Sequence, residues 1–317
     1  MPSLLPDGPI DTLGYLDALQ AIPQGIEDAL AAAPVHELVP ATAVDHVVVV
    51  TDRAFVSAAE AVVAFAEPVS QIPVSAVGVG ALPAHVGPRT LVLALGAADS
   101  APAVAAAERG AHVVPIAAGG VPVARLEAVP LAVRALLVLE QLGLLAEVAE
   151  SAAAAVTQLR DRIGKDLAGS GTGAKLARRV GRTLPIVHGI DAVGGSAARA
   201  WSRQVNQAAK VASFASSLDE VETSELAGWG QHGDMTRQVF TLLVLRHDHE
   251  PDDADERLRR AETLIDEVVH ERHVVEAAGD GSLAQLLDLI VQGDLFAFHL
   301  AHELEIDPGP VVVWSEA

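Results

Sequence analysis

Cysteine is absent from the 317-residue chain. That excludes disulfides, thiolate nucleophiles and cysteine-rich zinc sites, and it fits a reducing compartment. Positive charge is also scarce. Lysine and arginine number 21 against 42 acids, for a formal net charge of −21. A chain this acidic repels nucleic-acid phosphates and anionic membranes unless it carries a local basic patch. The densest basic clusters, Lys175 to Arg182 and Arg257 to Arg260, hold few residues and no aromatics, so neither nucleic acid nor membrane is an expected partner. A long uninterrupted apolar run is missing as well. Val129 to Ala149 comes nearest, but Arg134, Glu140 and Glu147 break it, and a membrane span needs about 20 nearly uncharged residues. The N-terminus carries Asp7 and Asp11 and no basic run, unlike a signal peptide. The expectation is a soluble, cytoplasmic protein.

Half of the residues are hydrophobic, enough for sizeable cores, and the length suggests two domains at roughly 150 residues each. Residues 1–45 read as a helical leader, with pieces at Asp11 to Leu19 and Ile26 to Ala33 separated by Pro23. Residues 46–160 read as a first domain. Its strands are His46 to Thr51, Pro73 to Val79, Thr90 to Leu95 and His112 to Ala117. Helices at Ala54 to Ala66 and Ser100 to Gly110 separate them, and Leu131 to Gln158 supplies one or two more. Residues 161–182 read as a linker around the Gly- and Ser-rich stretch Gly164 to Ala174. Its Gly-Ser-Gly-Thr-Gly run lacks the ending of a phosphate loop and follows no clear strand. Residues 183–317 read as a second domain, with strands at Leu184 to His188, Gln238 to Arg246 and His273 to Ala278. Its helices are Gly194 to Ala209, Ala254 to Val268 and Ser282 to Leu304. Strands alternating with helices of this length predict an α/β fold of parallel sheets, each covered on both faces.

The most informative stretch runs from Ala200 to Trp229. Trp201, Val205, Ala208 and Ala209 fall on one side of a helix at three- and four-residue spacing. Thr223 and Ser224 are candidate N-caps for a helix opening at Glu225. The polar order Gln204, Asn206, Lys210, Glu220, Glu225, Gly228 and Trp229 resembles the bifunctional phosphoglucose/phosphomannose isomerases, which are built from two sugar isomerase (SIS) domains. Gly293-Asp294, Leu300-Ala301 and Asp307-Pro308 repeat a second pattern of that family near the end of the chain. The resemblance implies two three-layer α/β/α SIS domains, a homodimer, a sugar-phosphate ligand and no cofactor. It also implies where the chemistry should sit, and there this sequence departs. The family's general-base glutamate falls on Gln207 and its ring-opening histidine on Thr223; its terminal lysine has no counterpart after Lys210. Glu222 and Glu225 are the possible substitute acids.

The two phosphate-binding loops of the family are altered too. The first reads Thr51-Asp52-Arg53-Ala54-Phe55, without glycine, and the second Gly96-Ala97-Ala98-Asp99-Ser100, shortened. Asp52 and Asp99 read as helix caps. Arg53 offers a fixed charge to an acidic ligand, and Ser100 with the following helix amides could hold an anion weakly. Thr51, Arg53, Ser100, Asn206, Lys210 and Ser224 are therefore the ligand-contacting candidates. His247 with His249, and His299 with His302, are spaced for shared ligation, but each pair supplies two ligands where a metal site needs three or four. No metal is expected.

Isomerisation between aldose and ketose requires a base near neutrality and an acid/base group to open the ring. An amide at Gln207 cannot ionise, and a hydroxyl at Thr223 titrates far outside the working range. Three readings stand: a double-SIS protein that has lost isomerase chemistry and binds a sugar phosphate or a protein partner, an active isomerase with a rearranged site, and a ligand-free scaffold.

Overall fold

The computed structural model describes residues 10–32, 34–35, 38–78, 81–96 and 99–309. The chain divides into two compact units, Ala21–Gln158, and Leu159–Ala317 with Met1–Gln20. Each holds one four-stranded parallel sheet among the described residues.

In the first unit the strands are β1 (His46–Thr51), β2 (Val74–Val77), β3 (Thr90–Leu95) and β4 (His112–Ile116), in spatial order β2-β1-β3-β4. The two central strands, HVVVVT and TLVLAL, are buried along nearly their whole length, as expected of parallel strands covered on both faces. The helices are α1 (Tyr15–Ala31, whose end belongs to this unit), α2 (Val56–Ala66), α3 (Ala101–Glu108), α4 (Ala128–Gln141) and the first part of α5 (Val148–Leu167). Helix α1 is continuous through Pro23, where two pieces were expected. The missing N–H and the ring of a mid-helix proline weaken a helix, but Ile22 and Ile26 on either side are buried and hold it together.

The second unit repeats the topology. Strands β5 (Leu184–Gly189), β6 (Phe214–Ser217), β7 (Phe240–Arg246) and β8 (Glu271–Glu276) lie in the order β6-β5-β7-β8. Strand β6 has no counterpart in the sequence reading. It is four residues long, at the sheet edge, and lacks a buried face of its own to create a periodic signal. Helices α6 (Thr172–Val180), α7 (Asp191–Gln204), α11 (Ala254–Ile265) and α12 (Gly281–Glu303) are joined by short turns α8 (Leu218–Glu220), α9 (Leu226–Trp229) and α10 (Gly233–Val239). Helix α12 is long and apolar enough to cross a membrane, yet 94% of its apolar window is buried inside the protein. It packs on α6 and α7, where Trp201 stacks on Phe296 at 5.3 Å and donates to the Leu289 carbonyl at 2.6 Å. A Cβ at Gly293 would lie 2.5 Å from the Trp201 ring, so this glycine exists to let the indole lie flat on the helix.

The stretch expected as a linker is mostly helical, since α5 runs to Leu167 and α6 begins at Thr172. Its glycines serve a buried carboxylate. Asp166 is fully buried and accepts the Ala174 N–H at 2.8 Å, and a side chain at Gly171 or Gly173 would collide with it. Burial also links Arg162 to Asp288 through paired hydrogen bonds, one of 2.8 Å, and holds Asp288, by desolvation, above the ordinary aspartate range.

Candidate functional site

A sheet whose strand order reverses direction between neighbours opens a crevice at the carboxyl ends of those strands, the usual ligand position in open α/β folds. Here the reversals lie between β1 and β3, and between β5 and β7.

The first crevice is filled. The loop after β1 folds into a single 3-10 turn, Arg53–Phe55, capped by Asp52, whose carboxylate accepts the Ala54 N–H at 3.0 Å. This turn delivers the Phe55 ring onto Gly96 at the end of β3. A Cβ on Gly96 would stand 2.6 Å from the ring and 3.3 Å from the Asp52 carboxylate. Phe55 is 6% exposed. Thr51 is buried, with its hydroxyl donating to the Asp52 carbonyl at 3.1 Å. Arg53 is exposed at the surface. Ser100 sits at the N-cap of α3 without a side-chain capping bond, and residues 97–98 of the same loop lie outside the described residues. At the end of β4, the N–H groups of Gly119 and Val121 turn inward in an arrangement suited to an anion. The carboxylate of Glu127, itself 6% exposed, accepts both, the second at 2.8 Å. A separate cleft of about 490 Å³ in this unit is lined by Asp28, Val35, Ile116, Arg134 and Gln141. Two of its polar groups are committed to backbone: Arg134 to the Ala117 carbonyl and Gln141 to both the N–H and the carbonyl of Val35.

The second crevice is likewise occupied by an acid of the chain. Asp191 opens α7 in a left-handed conformation, φ 58°, which is strained for a residue with a Cβ. Its carboxylate accepts the Val193 and Gly194 N–H groups at 2.7 and 3.3 Å and meets the His247 imidazole at 3.2 Å. Burial alone would lower the imidazole's affinity for a proton. The Asp191 bond and charge, with Glu250 nearby, more than offset that and hold His247 above its ordinary value. His247 thus turns toward Asp191, with His249 donating its N–H to the imidazole Nδ1. His299 lies 3.6 Å from Asp166.

The family positions for catalysis occupy a different part of this unit. Gln207 lies in a π-helical turn, Val205–Ala209, that extends α7, and Thr223 lies in a second one, Val221–Glu225, between α8 and α9. Single π turns are rare and recur at functional sites. The Thr223 side chain is structural. The Thr223 hydroxyl donates to the Asp219 carbonyl at 2.7 Å, so it is not an N-cap. The cap here is Ser217, which forms a reciprocal box with Glu220; the Ser-x-x-Glu spacing that signals such a box was legible in the sequence. Ser224 is exposed. Asn206 ties the helix end to β6, donating to the Ser202 and Ser213 carbonyls at 2.7 and 2.9 Å. Lys210, at φ 55°, donates to the carbonyls of Gln207, Ala208 and Asp307 at 2.8, 3.3 and 3.0 Å. A cation closing the carbonyl end of a helix is favoured by the helix dipole. Glu222 accepts from Arg257 at 2.7 and 3.0 Å, beside Asp219, and is engaged as an ion-pair partner.

Glu225 is different. Side chains alternate across a strand, so Ile186 and His188 share one face of β5, and Phe214 and Ser216 of β6 are their register partners. The second π turn lays Glu225 over the polar row. His188 Nε2 lies 2.8 Å from its Oε1, Trp229 Nε1 donates to the same oxygen at 2.9 Å, and Ser216 bonds to the carboxyl as well. Burial pushes this carboxyl up, but the hydrogen bonds and His188 outweigh it and hold it below the ordinary glutamate range. Over the apolar row lies a cavity of about 330 Å³ walled by Ile186, Phe214, Glu225, Trp229, Thr236 and Phe240. Neither His188 nor this cavity stood out in the sequence. A histidine followed by glycine at a strand's carboxyl end was the one available signal, and its meaning depends on where the π turn carries Glu225.

Comparison with known proteins follows the same division. Residues 171–316 match the family described as the bacterial phospho-glucose isomerase C-terminal SIS domain. A bifunctional phosphoglucose/phosphomannose isomerase of Caldicellulosiruptor bescii is 26% identical over 140 residues, 43% of this chain and 40% of the relative. The chain thus matches about two-fifths of that curated relative's length. Solved structures extend the fold to both units. The C-terminal domain of glucosamine-fructose-6-phosphate aminotransferase from Francisella tularensis aligns with a TM-score of 0.68 at 9% identity, covering 93% of this chain and 98% of that one. A glucose-6-phosphate isomerase-like protein from Thermus thermophilus aligns at 0.59 and 19% identity, covering 95% and 92%. The fold is therefore α/β with two SIS-type domains.

Proposed function

Because residues 171–316 match the bacterial phospho-glucose isomerase C-terminal SIS domain, we propose that the chain is a sugar-isomerase-type protein of carbohydrate metabolism that has lost isomerase chemistry. In this reading it acts in the cytoplasm as a homodimeric regulatory or assembly partner. One observation carries the reading: the two π turns present an amide at Gln207 and a backbone-bonded hydroxyl at Thr223. Neither group exchanges a proton near neutral pH. A missing general base alone costs about 10² to 10⁴ in rate. The self-filled crevices add weight, since Asp52, Glu127 and Asp191 place negative charge on amides that a phosphate would need. Sugar-phosphate binding is accordingly the weaker half of the proposal and partner binding the stronger.

A second reading rests on the His188–Glu225 pair, a hydrogen-bonded acid and imidazole beside a cavity, which is the minimum equipment for general acid–base catalysis. A coupled assay on purified protein, interconverting fructose 6-phosphate with glucose 6-phosphate and mannose 6-phosphate, separates the two. Absence of turnover is the expected result. Turnover that disappears in Glu225→Gln and His188→Asn would establish the second reading and overturn the first.

A further inference from the structure

The cavity beside Glu225 has a composition that sugar-phosphate recognition does not explain. Its walls are Ile186, the aromatic rings of Phe214, Trp229 and Phe240, and the hydroxyl-bearing Thr236, with the Glu225 carboxylate as its single acid; among the described residues no basic side chain lines it. A phosphate dianion entering it would meet a carboxylate and no lysine or arginine among the lining residues, in a protein that already carries a net charge of −21. The faces of aromatic rings are electron-rich and attract cations, and a desolvated carboxylate beside them reinforces the same preference. Trp229 and Phe240 stand edge to face at 5.9 Å, which sets their planes at 78° to each other and gives the cavity two differently oriented aromatic walls.

We propose that this cavity binds a small organic cation, an ammonium group carried on a short apolar body, with Glu225 as its counter-charge and Phe214, Trp229 and Phe240 as its cage. The volume, about 330 Å³, lies at the lower end of the range for sites that enclose a whole small molecule, so the occupant is a free metabolite-sized amine. The sheet and the π turn build the site together. Ile186 lays the apolar floor beside its register partner Phe214, and the polar pair His188 and Ser216, two residues further along, anchors the carboxylate at its edge. Glu225 keeps about a quarter of its side-chain surface accessible, 23%, while its bonds to His188 and Trp229 fix its position. Phe214, 57% exposed, forms the rim. The inference rests on the first reading, since in the second the same cavity beside His188 and Glu225 would receive the sugar phosphate.

The test is calorimetric titration of the whole protein with choline and, in parallel, with its neutral isostere 3,3-dimethylbutan-1-ol, with tryptophan fluorescence as a second readout. Saturable choline binding is expected, at least tenfold tighter than binding of the isostere. Glu225→Gln, which keeps the shape and removes the charge, should erase that preference. Phe214→Ala, at an exposed rim position, should weaken choline binding several-fold with circular dichroism unchanged, and it carries the test should the Glu225 variant fail to fold. Equal binding of the two probes, no saturable choline binding at tens of millimolar, or insensitivity to Phe214→Ala would each overturn the proposal. Displacement of choline by fructose 6-phosphate would assign the cavity to the sugar-phosphate ligand instead.

Discussion

The two sheets share one strand order and differ in what they leave open. In the first unit, Phe55 and Asp52 close the crevice between β1 and β3, and Glu127 consumes the neighbouring amides. In the second, Asp191 closes the corresponding crevice, but the π turn at Val221–Glu225 props a carboxylate over the sheet and leaves a cavity beside it. The difference teaches how loop amides of this fold can be satisfied from within the chain. The loop amides that fold geometry directs at a ligand are satisfied by carboxylates from the chain itself, so their desolvation cost is met internally. Beside the second sheet, space survives where Glu225 is held away from the strands by its own hydrogen-bond partners.

Three experiments can break or sharpen that contrast. The largest effect is expected from Phe55→Ala. Removing a buried aromatic side chain costs about 3–5 kcal/mol, and chemical denaturation should show the loss in the first unit. A loss below about 1 kcal/mol would mean that Phe55 does not plug the crevice. Next is Glu127→Gln, which removes the charge and leaves one of two buried amides without an acceptor of equal strength. A destabilisation of about 1–3 kcal/mol is expected, and added inorganic phosphate should recover part of it if the amides form an anion nest. No recovery would show that the nest is closed by more than the carboxylate.

The smallest effect concerns pH. His247 binds its proton more tightly folded than unfolded because Asp191 and Glu250 outweigh its burial. Its contribution is fully present below the ordinary histidine value and is lost as pH rises through the raised folded value. Stability measured from about pH 6 upward should therefore fall from this source. Asp191→Asn should flatten that slope, and an unchanged slope would remove Asp191 as its origin.

Much of the architecture was legible in the chain. The apolar runs HVVVVT, TLVLAL and FTLLVLR are too short and too β-branched for helices, and the structure uses each as a central strand. The edge strand β6 was not legible, because its four residues carry no periodicity and are recruited by pairing with β5. The candidate site divides in the same way. That Gln207 and Thr223 carry no group titrating near neutrality is visible from residue type alone, since no tertiary environment gives an amide or an aliphatic hydroxyl a titration near pH 7. By contrast, Lys210 and Asn206, expected at a ligand, close a helix end and fasten β6. Glu222, expected as a substitute base, pairs with Arg257.

What the sequence determined by itself is composition and local pattern: an acidic, cysteine-free chain with alternating strands and helices. Only the tertiary structure decided where the carboxylates went. Asp52, Glu127, Asp166 and Asp191 turn inward onto backbone amides, while Glu225 meets His188 across 37 residues of sequence. The physical reason is that a carboxylate's role follows from which donors surround it after folding, and those donors come from elements far apart in the chain.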